Sequence, residues 1–575
     1  MSSRKAATVR IRLITFGVLL LALILIVRLY YLQIIRHEHF LAEGQSQYIH
    51  SVDKLYDRGS IYFTTKNGES IAAATVQSGY VLALNPTRIT EPEQLFNALQ
   101  PYVKFSHDEF VEKATLPKRV YIEIATQLNE DEAKHIESLE LSGVELYRQR
   151  WRYYPAGPLG ARVIGFVGFV GGDVKEQQVG RYGLERQYEN TLQRGESGLS
   201  VNFFAELFTN LGQLVGAGRE DEGDGNIITT IEPTVERLLQ SELTKVHERW
   251  QSKITGGIII NPKTGAIYAL DVVPTFDPNN RATTTVETFR NPLIEDVYEM
   301  GSIIKALTMA AGLDSGAVTP NTTYQDNGYL ELDTWKIHNY DKKGRGLVDM
   351  QTVLSKSLNT GVAFVVKTMG KDKFGDYFRR LQLGSESGVD LPGEIPGLTS
   401  NLSSPRSIEY ATASYGQGIA LTPIATVRAL AALGNGGTLI TPHVVEKIEY
   451  QDGTTKDKLY PKGERVWSEE TSEEITRMLV RVVDEALRNG QVKLPGHSVA
   501  AKTGTAQLTK PEGGYYDDRF LHSFFGYFPA YDPEFLVFLY TEDPQGVTYA
   551  SETLTDTFMD ITKFLINYYN VPPDR

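Results

Sequence analysis

Two side chains that could form a nucleophile and its base lie three residues apart at the start of an apolar stretch. Ser302 and Lys305 fall on one face of a helix that we predict over residues 302–313. A serine hydroxyl beside an amine can act as a nucleophile if burial or a second cation lowers the pKa of the lysine towards neutrality. The spacing alone is weak, because it recurs in polar sequence at Ser2 and Ser51.

Two downstream motifs strengthen the case for catalysis. Ser357 and Asn359 form a Ser-x-Asn motif in a helix-like segment and would add a second hydroxyl and an amide. Lys502-Thr-Gly-Thr505 follows an apolar run that we predict to be a strand, and it offers a cation, two hydroxyls and a glycine. A glycine on a strand permits close approach of a substrate.

The order of the three motifs separates them from chance copies. Ser200-Val-Asn202 and Lys263-Thr-Gly265 repeat two of the patterns, but both precede Ser302, and the second falls in a predicted hairpin turn. Ser-x-x-Lys, Ser-x-Asn and Lys-Thr-Gly in this order are the signature of penicillin-binding proteins and serine β-lactamases.

With these motifs the chain resembles the class B penicillin-binding proteins, the monofunctional D,D-transpeptidases of bacterial cell-wall synthesis, over nearly its whole length. Other segments that look like boxes of that family are 57–61 with 67–68, 152–155, 161–168, 183–185, 414–423 and 523–530. One departure is Met300, which stands where the family usually has a proline before Gly301 and Ser302.

The resemblance implies a role for each catalytic residue. Ser302 would attack the carbonyl between the two terminal D-alanines of a stem peptide, and Lys305 would accept the serine proton. Ser357 would relay a proton to the leaving amine. Asn359 would orient Lys305 and the amide of the substrate.

The resemblance also implies a binding strand. Lys502, Thr503, Gly504 and Thr505 would hold the terminal carboxylate of the substrate, and Lys502 would be the second cation that lowers the pKa of Lys305. The backbone N–H groups of Ser302 and Thr505 would form the oxyanion hole. An amine of a neighbouring strand would then take the acyl group, and β-lactams would inhibit by mimicking the stem peptide.

Composition excludes several other classes of protein. The chain has 575 residues, a net charge of −13 and no cysteine. The acidic balance argues against an electrostatically driven nucleic-acid binder. The lack of cysteine excludes disulfides, zinc-thiolate sites, iron–sulfur clusters and a cysteine nucleophile. We expect no metal or cofactor, and we interpret His37-Glu-His39 as a solvated face beside the membrane.

An N-terminal apolar segment predicts a membrane anchor. Residues 13–27 are apolar and uncharged, and the segment extends to Leu32 if Arg28 reaches the headgroups. Basic residues precede it without any acidic residue, so we expect a cytoplasmic N-terminus and a catalytic domain outside the inner (plasma) membrane. A cleaved signal peptide is the alternative, but no small-residue cleavage site follows the apolar run.

We predict an α+β fold in three parts. Residues 1–36 form the cytoplasmic tail and transmembrane anchor, 37–225 an elongated mixed pedestal domain of the dimerisation type with a linker, and 226–575 a transpeptidase domain with an antiparallel sheet flanked by helices. The elements expected by pattern are helices at 91–103, 128–140, 233–250 and 553–569, a strand from 226, a hairpin over 256–270, and strands at 498–506, 521–528 and 535–541.

Three alternative functions remain open at this point. The chain could be a β-lactamase or β-lactam sensor, since these share the catalytic motifs, or a catalytically idle cell-wall scaffold. Within the resembling family it could serve elongation, although the box at 414–423 looks more like the septal, division-specific type. We expect glycan strands derived from lipid II as substrate, and a membrane lipid-II polymerase and divisome proteins as partners.

Overall fold

The computed structural model describes residues 57–169, 178–194, 224–332 and 334–575, together with Phe16, Leu20 and Leu23. The chain divides into two compact units. One comprises Met1–Asp57 and Val76–Arg152, and the other comprises Arg58–Thr75 and Tyr153–Arg575. One long strand, Ser70–Leu84, contributes residues to both units.

The smaller unit is a sheet covered by helices. Its part of Ser70–Leu84 pairs with two strands, Ile122–Leu128 and Val144–Tyr153. Leu82, Leu84 and Leu128 of the sheet form a core with apolar side chains of the helices. The helical segments of this unit are Pro86–Arg88, Pro92–Leu99, His107–Ala114 and Glu130–Ser138.

In the larger unit, a mixed sheet joins residues from both sides of the predicted domain boundary at 225. Strand Gly225–Thr229 pairs in parallel with Ile61–Thr64 and in antiparallel with Val445–Tyr450. Thr455–Asp457 extends this sheet beyond Val445–Tyr450. Strand formation therefore begins at Gly225, one residue earlier than expected, and the division of the chain into a pedestal and a transpeptidase domain remains a prediction.

A five-stranded antiparallel sheet forms the centre of the larger unit. Its order is Ala500–Thr509, Tyr515–Phe528, Phe535–Glu542, Ile254–Ile260 and Ile267–Val273. Side chains alternate between the faces of a strand, so Phe524 and Phe528 belong to one apolar cluster and Phe525 and Tyr527 to the other. The sheet is therefore buried on both faces, and Ala500–Thr509, here called the edge strand, lies at one side of it.

Helices cover both faces of this sheet. Pro233–Trp250 and Thr555–Tyr569 contribute to one cluster, whereas Ile304–Asp314, here called the buried helix, contributes to the other. The buried helix is apolar nearly all round, as expected for a helix enclosed by protein.

The remaining elements connect or surround these layers. The short strands form the pairs Val167–Phe169 with Gln178–Gly180, Thr323–Asp326 with Gly346–Asp349, and Tyr329–Leu332 with Trp335–His338. The other α-helices are Ala161–Ile164, Gly183–Gln187, Glu189–Leu192, Val286–Phe289, Pro292–Glu295, Met350–Ser355, Asn359–Met369, Lys371–Arg380, Ser407–Ala413, Pro423–Gly434, Glu469–Arg481 and Ala550–Thr553. Single turns of other helix types are Gly301–Ile303, Ser400–Ser403, Val482–Ala486 and Leu487–Gly490.

The predicted α+β class and the antiparallel sheet flanked by helices are confirmed. The helix at 233–250 has the expected bounds, and the expected hairpin corresponds to Ile254–Ile260 and Ile267–Val273. The predicted helix at 302–313 was wrong at its start, because Ser302 lies in a 3₁₀ turn and the α-helix begins at Ile304. A positive φ of 64° at Gly301 marks this change of backbone direction.

The predicted membrane span falls outside the described residues, apart from Phe16, Leu20 and Leu23. Each of these three lies in a helix with its side chain exposed. Among the described parts of the chain, no helix is both long enough and apolar enough to cross a bilayer.

Candidate active site

The turn before the buried helix places Ser302 beside the edge strand. Gly301 at its start has φ 64°, and a Cβ atom there would lie 2.7 Å from the carbonyl oxygen of Thr505. The Gly301 N–H donates to the carbonyl of Gly416 at 3.2 Å. Only glycine fits this close approach, so the strand and the turn fix the start of the helix together.

Two neighbours hold the same turn from other directions. The carbonyl of Met300 accepts a hydrogen bond from the Ser523 hydroxyl at 2.8 Å. Glu299 Oε1 accepts from the Gly418 N–H at 2.9 Å and from the Tyr515 hydroxyl at 3.1 Å. Burial raises the pKa of Glu299. The turn is thus tied both to the central sheet and to the loop around Gly418.

Met300 fits the turn although it replaces the proline usual in the resembling family. Its φ of −77° lies close to the value of about −65° that a proline ring imposes. The side chain is buried in the apolar core. The departure therefore leaves the backbone of the turn in a conformation that proline would also adopt.

Lys305 lies on the first turn of the buried helix and points its amine at Ser357. The side chain is 1% exposed. Its Nζ donates to the carbonyl oxygen of Ser357 at 2.6 Å and contacts Ser357 Oγ at 3.2 Å. Ser357 occupies the short connection between helices Met350–Ser355 and Asn359–Met369 with a φ of 54°. The Ser-x-Asn motif is therefore a turn between two helices rather than part of one.

Lys502 approaches the same hydroxyl from the edge strand. Its Nζ lies 3.0 Å from Ser357 Oγ and 3.0 Å from the carbonyl oxygen of Thr503. Like Lys305 it is nearly fully buried. The Ser357 hydroxyl thus contacts two lysine amines, one from the helix side of the site and one from the sheet side.

Burial changes the protonation of both amines. The pKa of Lys305 falls well below its ordinary value of 10.5, chiefly through burial and further through the charge of Lys502. Burial lowers the pKa of Lys502 to about 7. Within the described part of the chain, neither amine forms an ion pair with a carboxylate. The charge of Lys502, when that amine is protonated, thus favours the neutral form of Lys305.

The edge strand carries the remaining motif. Lys502, Gly504 and Thr505 pair with Phe525, Ser523 and His522 of the neighbouring strand. A Cβ atom at Gly504 would lie 2.3 Å from Ser523 Oγ and 2.7 Å from the Met300 carbonyl oxygen. Glycine is thus required here for close packing against the turn before Ser302, which is a different reason from the substrate approach expected from sequence.

The Thr505 hydroxyl takes part in one hydrogen bond as an acceptor. Its Oγ1 accepts a hydrogen bond from the Ala550 N–H at 3.1 Å. The Thr505 hydroxyl is the acceptor in this bond, so its own proton can still be donated to another group.

The structure brings most, but not all, of the predicted catalytic side chains into direct contact. Lys305, Ser357 and Lys502 form one connected group. The Asn359 amide donates instead to the carbonyl of His338 at 2.9 Å, and among the described residues it makes no hydrogen bond to Lys305. In the same described set, the half-buried Ser302 hydroxyl has no hydrogen-bond partner.

Sequence reasoning missed the residues that fix the turn, above all Glu299. A single acidic residue directly before Met-Gly-Ser, at the edge of an apolar region, was the available signal. Asp326 and Asn339, which lie buried behind the Ser-x-Asn motif, were also not predicted from the sequence. Their distance along the chain gave no spacing pattern that could have revealed them.

Comparison with known families matches two regions of the chain. Residues 255–563 match the model of the penicillin binding protein transpeptidase domain, which is more than half of the sequence. Residues 55–224 match the model of the penicillin-binding protein dimerisation domain.

Curated relatives align over most of their length. Stage V sporulation protein D of Bacillus subtilis is 30% identical over 561 residues, covering 94% of this chain and 82% of that protein. Peptidoglycan D,D-transpeptidase FtsI of Escherichia coli K12 is 26% identical over 573 residues, covering 97% of this chain and 92% of the relative.

Two solved structures share the fold. Penicillin binding protein 2X from Streptococcus thermophilus superposes with a TM-score of 0.71 at 19% identity, covering 88% of this chain and 80% of that one. Penicillin binding protein 3 from Mycobacterium tuberculosis, in complex with aztreonam, gives a TM-score of 0.68 at 21% identity, covering 91% and 98%. The matches to both family models and to the curated relatives show that the chain belongs to the class B penicillin-binding proteins.

Proposed function

We propose that this protein cross-links peptidoglycan stem peptides through an acyl-enzyme formed on Ser302. The observation that carries the proposal is the contact of two buried lysine amines, Lys305 and Lys502, with the single hydroxyl of Ser357. Membership of a family of serine D,D-transpeptidases supports the reaction type. The chemistry requires only side chains and backbone groups of this chain.

The first step activates Ser302. A neutral lysine amine has two N–H groups and one lone pair, and Lys305 can satisfy its N–H groups with the carbonyl and hydroxyl oxygens of Ser357. Its lone pair then remains for the Ser302 proton. As that proton moves to Lys305, Ser302 Oγ forms a bond to the carbonyl carbon between the two terminal D-alanines.

The second step expels the leaving group. The bond from the carbonyl carbon to the amide nitrogen breaks, and the departing D-alanine amine must gain a proton. Ser357 lies beside Lys305, so its hydroxyl can pass a proton from Lys305 to that amine. An amine of a neighbouring stem peptide then attacks the Ser302 ester, loses a proton and forms the cross-link, which regenerates the serine.

Recognition of the terminal carboxylate is the task we assign to the edge strand. Lys502 supplies a cation, and the hydroxyls of Thr503 and Thr505 supply donors next to it. Because Thr505 Oγ1 already accepts from Ala550, its own proton is available for the carboxylate. Gly504 lets this part of the strand lie close to the turn that carries Ser302.

Stabilisation of the oxyanion falls to two backbone donors. We assign this role to the N–H groups of Ser302 and Thr505, in keeping with the family. One preorganised donor of this kind contributes about 3–4 kcal/mol to the transition state. Asn359 would bind the amide of the donor peptide with the part of its side chain that does not engage His338.

The wider biological setting also forms part of the proposal. The substrates would be stem peptides on glycan strands derived from lipid II, and β-lactams would acylate the same serine. A relative in complex with aztreonam supports that inhibition. We assign a septal role, because the box at 414–423 looks like the septal, division-specific type. In this proposal residues 1–36 are a plasma-membrane anchor, 37–225 a pedestal and 226–575 an external transpeptidase domain.

The source of the glycan strands is a further part of the proposal. The matched family regions account for a transpeptidase and a dimerisation domain. We propose that a membrane lipid-II polymerase of the divisome supplies the glycan strands that this transpeptidase cross-links.

Acylation with a fluorescent penicillin tests the function. We expect the full chain to gain one label that peptide mass mapping assigns to Ser302, and Ser302→Ala to remain unlabelled. Ser51→Ala removes the serine of a chance Ser-x-x-Lys motif and serves as the matched control, which should label normally. Label that survives in Ser302→Ala would refute the assignment.

Imaging tests the cellular role separately. A fluorescent fusion should concentrate at the division septum in growing cells. Signal distributed along the side wall would instead indicate an elongation enzyme with the same chemistry.

A further inference from the structure

Three polar side chains lie buried directly behind the Ser-x-Asn motif. Asp326, Asn339 and Thr360 are each 1% exposed. None of them belongs to the catalytic motifs. A polar group buried this deeply is costly unless its hydrogen bonds are satisfied, so the partners of these three residues reveal what they hold in place.

Asp326 is the centre of the group. Its carboxylate accepts hydrogen bonds from the backbone N–H groups of Gly328 and Arg345, each at 3.0 Å. It also accepts from Asn339 Nδ2, at 3.0 Å to one oxygen and 3.1 Å to the other. The guanidinium of Arg345 pairs with Asp341 instead. Asp326 is therefore held by neutral donors.

The carboxylate sets the direction of the Asn339 amide. A carboxylate only accepts hydrogen bonds, so the Nδ2 group of Asn339 must face Asp326. Its Oδ1 then faces Thr360, accepting from the Thr360 hydroxyl at 2.9 Å and from the Thr360 N–H at 3.3 Å. The Thr360 hydroxyl also lies 3.0 Å from Asp326 Oδ1.

This group borders both ends of the hydrogen bond that the Asn359 side chain makes within the described residues. The Asn359 amide donates to the carbonyl of His338 at 2.9 Å. Asn339 directly follows His338, and Thr360 directly follows Asn359. A change at Asp326 would therefore move the donor and the acceptor of that bond together.

We propose that Asp326 is a positioning residue that fixes the direction of the Asn359 amide, through Asn339 and Thr360, for the amide group of the donor peptide or of a penicillin side chain. The proposal rests on the function assigned above. It adds a residue that touches neither Ser302 nor the two lysines, and whose effect should depend on whether the ligand carries that amide.

Replacement of one carboxylate oxygen tests this dependence. In Asp326→Asn, an NH₂ group would face the donors of Asn339, Gly328 or Arg345, so the Asn339 amide should turn over and release Thr360. We compare acylation of the full chain by benzylpenicillin, which has a side-chain amide, with acylation by 6-aminopenicillanic acid, which lacks it. The ratio of the two second-order rate constants should fall about tenfold.

Two further variants keep the test decisive. Thr360→Val keeps the shape and the backbone N–H but removes the hydroxyl, and its ratio should fall about threefold even if Asp326→Asn does not fold. Asp341→Asn makes the same charge change in the turn after strand Trp335–His338, where the side chain contacts neither Asn339 nor Thr360. Its ratio should stay at the wild-type value.

The outcomes distinguish this proposal from the assigned function. A lower ratio in both test variants, with 6-aminopenicillanic acid still acylating Ser302, supports the positioning role. Equal losses with both penicillins, or an unchanged ratio, would overturn it while leaving the transpeptidase assignment intact. Failure of both penicillins to acylate the wild-type chain would instead contradict the assigned function.

Discussion

Cationic side chains are buried at two places in the larger unit, and the two places differ in the groups that surround the cations. Arg58, in the part of the chain matched by the dimerisation model, is 2% exposed and is surrounded by acidic side chains. Lys305 and Lys502, in the transpeptidase region, are equally buried and surrounded by hydroxyl and carbonyl oxygens.

The Arg58 group is fully paired. Its Nε lies 2.6 Å from Glu185 Oε2, and its Nη2 lies 2.6 Å from Glu189 Oε2. The guanidinium also donates to the carbonyl oxygen of Glu185 at 2.8 Å. Breaking a buried pair of this kind is costly, because it leaves an uncompensated charge in the interior.

Within the described residues, no carboxylate pairs with Lys305 or Lys502. Burial therefore acts on the amines without compensation, and the pKa values of both fall. Perturbed pKa values of this origin are typical of functional sites. The comparison teaches that the partners of a buried cation, more than its burial, separate a structural role from a catalytic one.

Removal of Lys305 should give the largest effect. Lys305→Met should lower the second-order rate of acylation by penicillin about 100-fold or more, because the general base is lost. Lys367→Met, which replaces an exposed lysine on the neighbouring helix Asn359–Met369, should acylate normally. Acylation of Lys305→Met within about threefold of wild type would contradict the role of the base.

The same variant should not lose stability at neutral pH. Because the folded pKa of Lys305 lies below 10.5, the unfolded chain binds a proton there that the folded chain does not. The resulting destabilisation grows as the pH falls from 10.5 towards the folded pKa, is complete below the folded pKa, and is absent above 10.5. Chemical denaturation near neutral pH should therefore show a free energy of unfolding equal to or above that of wild type.

Removal of Arg58 should lower the stability of the fold but not the rate of acylation. Arg58→Met would remove the guanidinium that pairs with the buried Glu185 and the partly buried Glu189, so the free energy of unfolding should fall by about 3–5 kcal/mol. The acylation rate of the folded fraction should stay near wild type. The double variant Arg58→Met/Glu185→Gln should recover part of the loss, and a loss below about 0.5 kcal/mol would show that the group is not structural.

Removal of Lys502 should give a smaller loss of acylation. Lys502→Ala removes a charge-assisted hydrogen bond to the carboxylate of penicillin, worth about 1.5–3 kcal/mol, or roughly a 10- to 150-fold lower rate. Lys356→Ala, which removes an exposed lysine next to Ser357, is the matched control. A Lys502→Ala rate within about twofold of wild type would show that Lys502 does not anchor the carboxylate.

The sequence allowed a prediction where the residue types, their order or a helix-starting residue were specific. Ser302, Lys305, Ser357 and Lys502 could be named because their types and order are specific, and the helix at 233–250 could be bounded because Pro233 begins it. The strand Gly225–Thr229 could not be assigned to its sheet from sequence, since its partners Ile61–Thr64 and Val445–Tyr450 are far away along the chain.

The remaining features of the site depend on contacts that no spacing encodes. The positive φ of Ser357 is set by the packing of two helices, and the requirement for Gly504 is set by Ser523 and Met300. Asp326 contacts Asn339 and Thr360, which are far from it along the chain. Long-range packing thus explains why the motifs could be recognised from the sequence but the geometry around them could not be predicted.

The pH dependence of acylation tests the central claim most directly. We would measure the second-order rate constant of acylation of the full chain by benzylpenicillin from about pH 5 to pH 10, which reports the free enzyme. A neutral Lys305 beside a cationic Lys502 predicts a bell-shaped profile, with a rise as Lys305 loses its proton and a fall as Lys502, whose pKa is about 7, loses its own. A rate that instead keeps rising towards 10.5, the ordinary pKa of lysine, would contradict the account.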